Sequence, residues 1–497
     1  MIYILMLLLQ IAYLFVVFEK LGLYSGYIYA LFSVLSSILL VYIINRKGSP
    51  EFKLVWVIPV LILPIFGALI YMWSRLQPGT NIIRRRHIDI CDRTAKLIAQ
   101  NKGVMDELEE QDPLTATLAK YMSNYGGYPI YKNTKVTYFP LGEDKLAELL
   151  IQLEKAEKFI FMEYFIVEDG EMWQAVLDVL KRKAAEGVEV RVMYDGMCSV
   201  VLLPYGYPKE LAKYGIKSKM FAPIRPVLST SQNNRDHRKI VSIDGKVAFT
   251  GGINLADEYI NRKLLYGHWK DTAVMLEGDA AESFTMMFLQ MWNVDERTED
   301  DYSKYLVPSV PVDGADGYVM PYGDSPLDGE NVGEMVYLDI INTAKRYVHI
   351  MTPYLILDGE MLTALTHAAM RGVDVKLILP HIPDKKYAYL LARSHYKELI
   401  QAGVKIFEYE PGFVHAKVFV SDDDRAVVGS INLDYRSLYL HFECAAFMFR
   451  CSEIARIERD FLNTLKKCIA IDMDNVRKYP AGKKALGSLL RLIAPLM

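Results

Sequence analysis

Two stretches of the chain carry the same reactive residue types in the same order. One runs HRKIVSIDGKVAFTGGINLADEY from His237, the other HAKVFVSDDDRAVVGSINLDYRS from His415. Each reads His-x-Lys-x4-Asp, then Gly-Gly or Gly-Ser, then Asn. His237/His415, Lys239/Lys417, Asp244/Asp422, Gly251/Gly429 and Asn254/Asn432 recur at one offset of 178 residues. Strand alternation puts each His and Lys, two residues apart, on one face. Together they suit a phosphate, with Lys as a point charge and the imidazole as nucleophile or proton donor. The glycine turn lets backbone and the Asn amide approach the same anion. One such block is a weak signal; two in register, with no insertion between their matched residues, mark a duplicated domain.

The elements around the blocks repeat as well. Val136–Phe139 reads as a strand, Lys145–Lys155 as a helix, and Phe159–Val167 as an apolar run of strand length. A helix over Met172–Ala185, closed by Glu186-Gly187, leads to a strand at Val188–Tyr194. The segment from Gly170, GEMWQAVLDVLKRKAAEGVEVRVMYD, is echoed from Gly359 by GEMLTALTHAAMRGVDVKLILP. This rhythm predicts α/β halves, each a sheet covered by helices. The expected boundaries are 131–296 for the first half and 334–497 for the second. A linker over 297–333 joins them, rich in Asp, Gly, Pro and Ser.

The N-terminal region differs. Residues 1–73 hold only Glu19, Lys20, Arg46, Lys47, Glu51 and Lys53 as charges. These divide it into three apolar stretches: Ile2–Phe18, about Leu21–Ile44, and Leu54–Trp73. Each approaches the ~20 residues that span a bilayer as a helix. Residues 1–75 are therefore expected to be a transmembrane anchor, and 76–130 a juxtamembrane helical linker. Lys20, Arg75 and Arg84–Arg86 outnumber Arg46, Lys47 and Lys53, which puts the catalytic bulk on the cytoplasmic side. A net charge of −3 over 497 residues argues against nucleic acid as a partner. Five cysteines (Cys91, Cys198, Cys444, Cys451, Cys468) without a CxxC exclude a disulfide framework, and no metal-ligand spacing is seen.

With both blocks and the apolar N-terminus in view, the chain resembles the phospholipase D superfamily, and within it the bacterial cardiolipin synthases. NRDHRKI, FVHAKVFVSDDDRAVVGSINLDYRS, the Trp56, Pro59, Pro64, Gly67, Tyr71 pattern, TPYL from Thr352 and the C-terminal LLRLIAPLM carry the likeness. It implies N-terminal transmembrane helices followed by two duplicated phospholipase D-like α-β-α sandwich halves, packed as a pseudo-dimer with one shared site. It also implies a multi-pass protein of the bacterial cell membrane that needs no cofactor or metal. The implied reaction takes phosphatidylglycerol to cardiolipin and glycerol through a phosphohistidine. The alternative is a membrane-bound phosphodiesterase that hydrolyses phospholipid.

By the same resemblance one of His237 and His415 attacks phosphorus, His237 being favoured, and the other serves as acid and then base. Lys239, Lys417, Asn254 and Asn432 would hold the phosphoryl oxygens. Asp271 and Glu443 would orient the imidazoles. Asp244 and Asp422 complete the motifs, with a structural role expected within strand and turn. Ala256, Lys270 and Ala273 depart from the family pattern without touching the motif residues. His441 and the other histidines outside the motifs are read as packing or surface.

Overall fold

The computed structural model of the chain describes residues 24–75, 78–197, 202–204, 206–223 and 233–496, together with 12, 16 and 19. The first expected apolar stretch, Ile2–Phe18, therefore falls almost entirely outside the described residues. Packing divides the chain into two compact units. One comprises 1–82 with 228–230 and 488–497; the other comprises 83–227 and 231–487.

In the first unit, helices α1 (Ser25–Asn45), α2 (Pro50–Ile62) and α3 (Pro64–Arg75) follow one another. Ile43, Val60 and Tyr71 make a small core, with Trp56 edge-on to Tyr71 at 5.4 Å. The stretch Leu54–Trp73 is not one helix. Pro64 has no N–H for the ladder and disfavours helical backbone at Leu63, so the chain turns there and α3 folds back on α2. A Cβ on Gly67 would lie 2.4 Å from the Pro59 carbonyl oxygen, so the two helices meet where only glycine fits. Among residues whose side chains are described, no helix is long and apolar enough to cross a membrane. In α1 that description is unbroken only from Tyr29 onward.

The second unit holds the duplication. Its first half supplies β1 (Thr134–Phe139), β2 (Phe159–Tyr164), β3 (Glu189–Asp195), β4 (Lys217–Phe221), β5 (Lys239–Ile243), β6 (Val247–Gly251), the short β7 (His268–Lys270) and β8 (Ala273–Gly278). The second half supplies β9 (Tyr318–Asp324), β10 (Tyr347–Met351), β11 (Asp374–Pro380), β12 (Lys405–Tyr409), the short β13 (Gly412–Val414), β14 (Val418–Ser421), β15 (Arg425–Gly429), β16 (Glu443–Phe449) and β17 (Cys468–Ile471). The sheets run β1-β8-β6-β5-β2-β3-β4 and β9-β16-β15-β14-β10-β11-β12-β17. The order is the same in both halves, with β17 added at one edge. The helices expected from periodicity are α4 (Gly142–Glu154) and α5 (Glu171–Ala185). β9 lies inside the stretch expected as a linker, so the second half begins no later than Tyr318.

Strand alternation builds three cores from two sheets. On β5, Ile240 faces a central core while Val241 and Ile243 face the outer helices of the first half. On β15, Ala426 and Val428 face the central core and Val427 the outer core of the second half. Helix α6 (Ala281–Asn293) has every residue but Glu282 buried and fills the central core. Burial on both faces explains why these strands read as continuous apolar runs.

Candidate active site

The two motif strands, β5 and β14, lie in the middle of their sheets. The extended segments just before them cross between the halves. Asp236 bridges Phe442 in parallel, and β13 pairs in parallel with β7. The His237 N–H donates to the Phe442 carbonyl at 2.9 Å, and the His415 N–H to the Lys270 carbonyl at 2.7 Å. Each motif histidine is thus held by backbone from the opposite half, one residue ahead of that half's carboxylate.

The side chains repeat the crossing. His237 Nδ1 lies 2.9 and 3.0 Å from the carboxylate oxygens of Glu443. His415 Nδ1 lies 2.6 Å from Asp271 Oδ2. A carboxylate at Nδ1 fixes the proton there and leaves Nε2 with its lone pair for chemistry. Both histidines are nearly closed off, at 7% and 8% exposed. Because each imidazole is held by a carboxylate and a backbone carbonyl of the opposite half, the two motifs come together in one site.

The turns at the ends of β6 and β15 differ for a steric reason. A Cβ on Gly252 would sit 2.1 Å from Asp271 Oδ1, so glycine is required where the aspartate packs. At the equivalent place Ser430 uses its hydroxyl to donate to Glu443. The Gly-Gly and Gly-Ser turns are matched to the carboxylate each supports, and Ser430 is a site residue that the motif alone did not single out.

Lys239 and Lys417 are buried, and each donates to the carbonyl of its own motif histidine. Burial pulls Lys239 down to about 8 and Lys417 down to about 7, partly offset by the nearby acidic groups. Burial and Lys417 bring His415 down to about 4, and burial with Lys239 holds His237 well below the usual imidazole range. Burial pushes Glu443 up to about 8. An anion entering the site would favour the charged form of both lysines. Lys145, also buried and brought down to about 7 by burial, bonds Tyr164 and interacts with Asp271 and Lys239; it was not anticipated.

Several expected site residues are elsewhere or otherwise engaged. Asp244 accepts from the backbone N–H groups of Glu157, Lys158 and Phe159, each at 2.8 Å. Asp422 accepts from Lys345, Arg346 and Tyr347 at 2.6, 2.8 and 3.0 Å. Both lie at the far end of their strands from the histidines, with φ of +54°, and anchor the start of β2 and β10. They are not part of the reacting constellation. Asn254 accepts from the Ile166 N–H and donates to Tyr259, so its amide ties loop to loop. Asn432 is buried, and its Oδ1 has no hydrogen-bond partner among the described residues. Arg235 faces Asp195. Lys270 bonds Asp460 at 2.7 Å. Ring nitrogens of His237 and His441 and an oxygen of Glu443 lie within 4.8 Å of one another, a donor set that sequence spacing did not reveal.

The family model for the cardiolipin synthase, PLD-like domain, matches residues 149–292 and 337–465, one match on each half. The chain belongs to this phospholipase D-like family. A phospholipase D-nuclease N-terminal model matches residues 28–74, the region of α1–α3. A protein of Streptococcus mutans described as uncharacterized is 50% identical over 92% of this chain and 99% of its own. A cardiolipin synthase of Geobacillus kaustophilus is 34% identical over 96% of each chain. Among solved structures, phosphatidylserine synthase of Haemophilus influenzae covers 77% of this chain and 100% of its own at a TM-score of 0.58 and 13% identity, a likeness of fold.

Proposed function

We propose that the protein is a cardiolipin synthase that transfers a phosphatidyl group from one phosphatidylglycerol to the hydroxyl of another, releasing glycerol. The observation that carries this reading is the crossed pair of buried imidazoles, each with a carboxylate at Nδ1. Nε2 of one histidine attacks phosphorus, forming a P–N bond as the P–O bond to glycerol breaks. The other histidine, which takes up a proton at Nε2 when the anionic lipid binds beside it, gives that proton to the glycerol oxygen. It then takes the proton of the incoming lipid hydroxyl, whose oxygen displaces the first histidine. Lys239 and Lys417 carry the charge on the phosphoryl oxygens. His237 is the favoured nucleophile by family likeness, and Asn432 remains the candidate amide at the phosphate.

The same reading divides the chain into an anchor over 1–75, a helical linker over 76–130, a first half over 131–296 and a second half from about Tyr318. Membrane insertion is supported by α1, which exposes Leu31, Val34, Ile38, Val41 and Ile44. The excess of Lys and Arg argues for catalysis on the cytoplasmic face. No observation favours the hydrolase reading.

The test is product analysis. Full-length protein is incubated with phosphatidylglycerol vesicles and the products followed by mass spectrometry, beside His237→Ala and His415→Ala. Cardiolipin and glycerol in equal amounts are expected from the parent, and no turnover from either variant. Phosphatidic acid as the main product would replace the transferase with a hydrolase.

A further inference from the structure

His441 is the residue that the mechanism above leaves unused. It is 8% exposed, and neither ring nitrogen has a hydrogen-bond partner among the described residues. Its Nδ1 is 3.9 Å from Glu443 Oε1, beyond hydrogen-bond reach. Its ring centroid is 5.5 Å from that of His237, across the carboxylate that orients His237. A buried imidazole with two idle nitrogens carries a desolvation cost that a bound polar group would remove.

The other half differs at the matching place. His441-Phe442-Glu443 corresponds to Trp269-Lys270-Asp271, so Trp269 stands where His441 does. Trp269 is 5.4 Å from His415, which also touches Phe413 and Tyr259. One reactive histidine thus has a polar neighbour able to donate and accept. The other has an aromatic wall whose indole only donates.

We propose that His441 binds the alcohol group that leaves or enters beside His237, and so holds a hydroxylated headgroup in place there. This rests on the transferase reading and adds a positioning residue to it. An uncharged imidazole has one N–H and one lone pair. A hydroxyl can donate to the bare nitrogen or accept from the N–H, so it can pair with the ring at either nitrogen; a phosphoryl oxygen can only accept from the N–H. The surroundings agree. Burial, and after it Arg436, Lys239, Arg235 and Lys385, hold His441 well below the usual imidazole range. The same positive charges oppose a divalent cation at His237, His441 and Glu443.

The experiment compares the parent with His441→Leu and His441→Asn, all full length, on phosphatidylglycerol vesicles. Cardiolipin and phosphatidic acid are quantified, and exchange of labelled free glycerol into phosphatidylglycerol is followed separately. For His441→Leu the ratio of cardiolipin to phosphatidic acid falls roughly tenfold and glycerol exchange falls with it, the size expected for lost hydrogen bonds to one hydroxyl. His441→Asn keeps a donor and an acceptor and recovers most of the ratio. The unfolding temperature of His441→Leu equals or exceeds that of the parent, because an idle buried polar group has been removed.

An unchanged ratio in His441→Leu overturns the proposal. So does an equal loss of both products with a lower unfolding temperature, which would make His441 merely structural. One equivalent of Zn2+ bound by the parent and lost in His441→Leu, with the ratio unmoved, would reassign it as a metal ligand. If the parent makes phosphatidic acid alone, the transferase reading falls, and glycerol exchange still reads His441 by itself.

Discussion

Asp271→Asn and Glu443→Gln test the crossed pairing directly. Asp271 is fully buried, and its Oδ2 lies 2.6 Å from His415 Nδ1. An asparagine fills the same volume but turns an N–H2 or a weaker acceptor toward Nδ1. The imidazole then favours the tautomer with hydrogen on Nε2, which can no longer act as a base or nucleophile from that atom. A charge-assisted hydrogen bond in a desolvated site contributes about 1.5–3 kcal/mol. Adding lost stabilisation of the imidazolium brings the barrier change to about 3–5 kcal/mol, or roughly 10²–10⁴-fold in the chemical step. Because the carboxylates cross, Asp271→Asn should fail at the same half-reaction as His415→Ala, and Glu443→Gln at the same one as His237→Ala. Rapid quenching with labelled phosphatidylglycerol, followed by recovery of phosphorylated peptide, distinguishes failure to form the phosphohistidine from failure to resolve it. The double variant Asp271→Asn/His415→Ala should be no slower than His415→Ala alone, since the two act as a unit. Asp271→Asn failing at the same step as His237→Ala, with additive losses in the double variant, would refute the pairing.

Gly252→Ala should cost about 100-fold in turnover or more, because its methyl group would enter the space of the Asp271 carboxylate and push it off His415; steady-state rates on folded protein check this. Asp422→Ala strips a partner from three backbone N–H groups, so it should lower stability by about 2–4 kcal/mol, read by denaturant unfolding. Turnover per folded molecule should change far less than in His415→Ala. Anion affinity should fall as pH rises through about 7 to 8, because Lys417 and Lys239 lose their charge there and a neutral amine no longer attracts phosphate. Titration calorimetry with inorganic phosphate near pH 8, in buffers of different ionisation enthalpy, should show proton uptake on binding. Proton release would reverse the assignment.

Much of the fold was legible in the pattern. The duplicated blocks predicted two like halves, and the sheets share one strand order. The helix read from Met172 to Ala185 runs Glu171–Ala185, and the strand read from Val188 to Tyr194 runs Glu189–Asp195. Such elements are set by local periodicity, which a single sequence carries. β9 was missed because its surroundings are rich in turn-forming residues, and its strand identity comes from pairing with β16, which is distant in sequence. Leu54–Trp73 was expected as one stretch because prolines are tolerated within a membrane helix, whereas Pro64 breaks it into two.

The residue types and spacings by themselves singled out His237, Lys239, His415 and Lys417 as the candidate reactive set, because a strand fixes which side chains share a face. They also determined that the two copies would be alike. Only the tertiary structure decided how the copies cooperate. Which carboxylate serves which histidine depends on parallel pairing between β7 and β13 and between Asp236 and Phe442, contacts that cross from one half to the other. The partners of Asp244 and Asp422, expected to be structural, depend on the tertiary structure in the same way. Their backbone donors lie across a strand, 85 to 87 residues away for Asp244 and 75 to 77 for Asp422, at a range where spacing along the chain carries no geometric information.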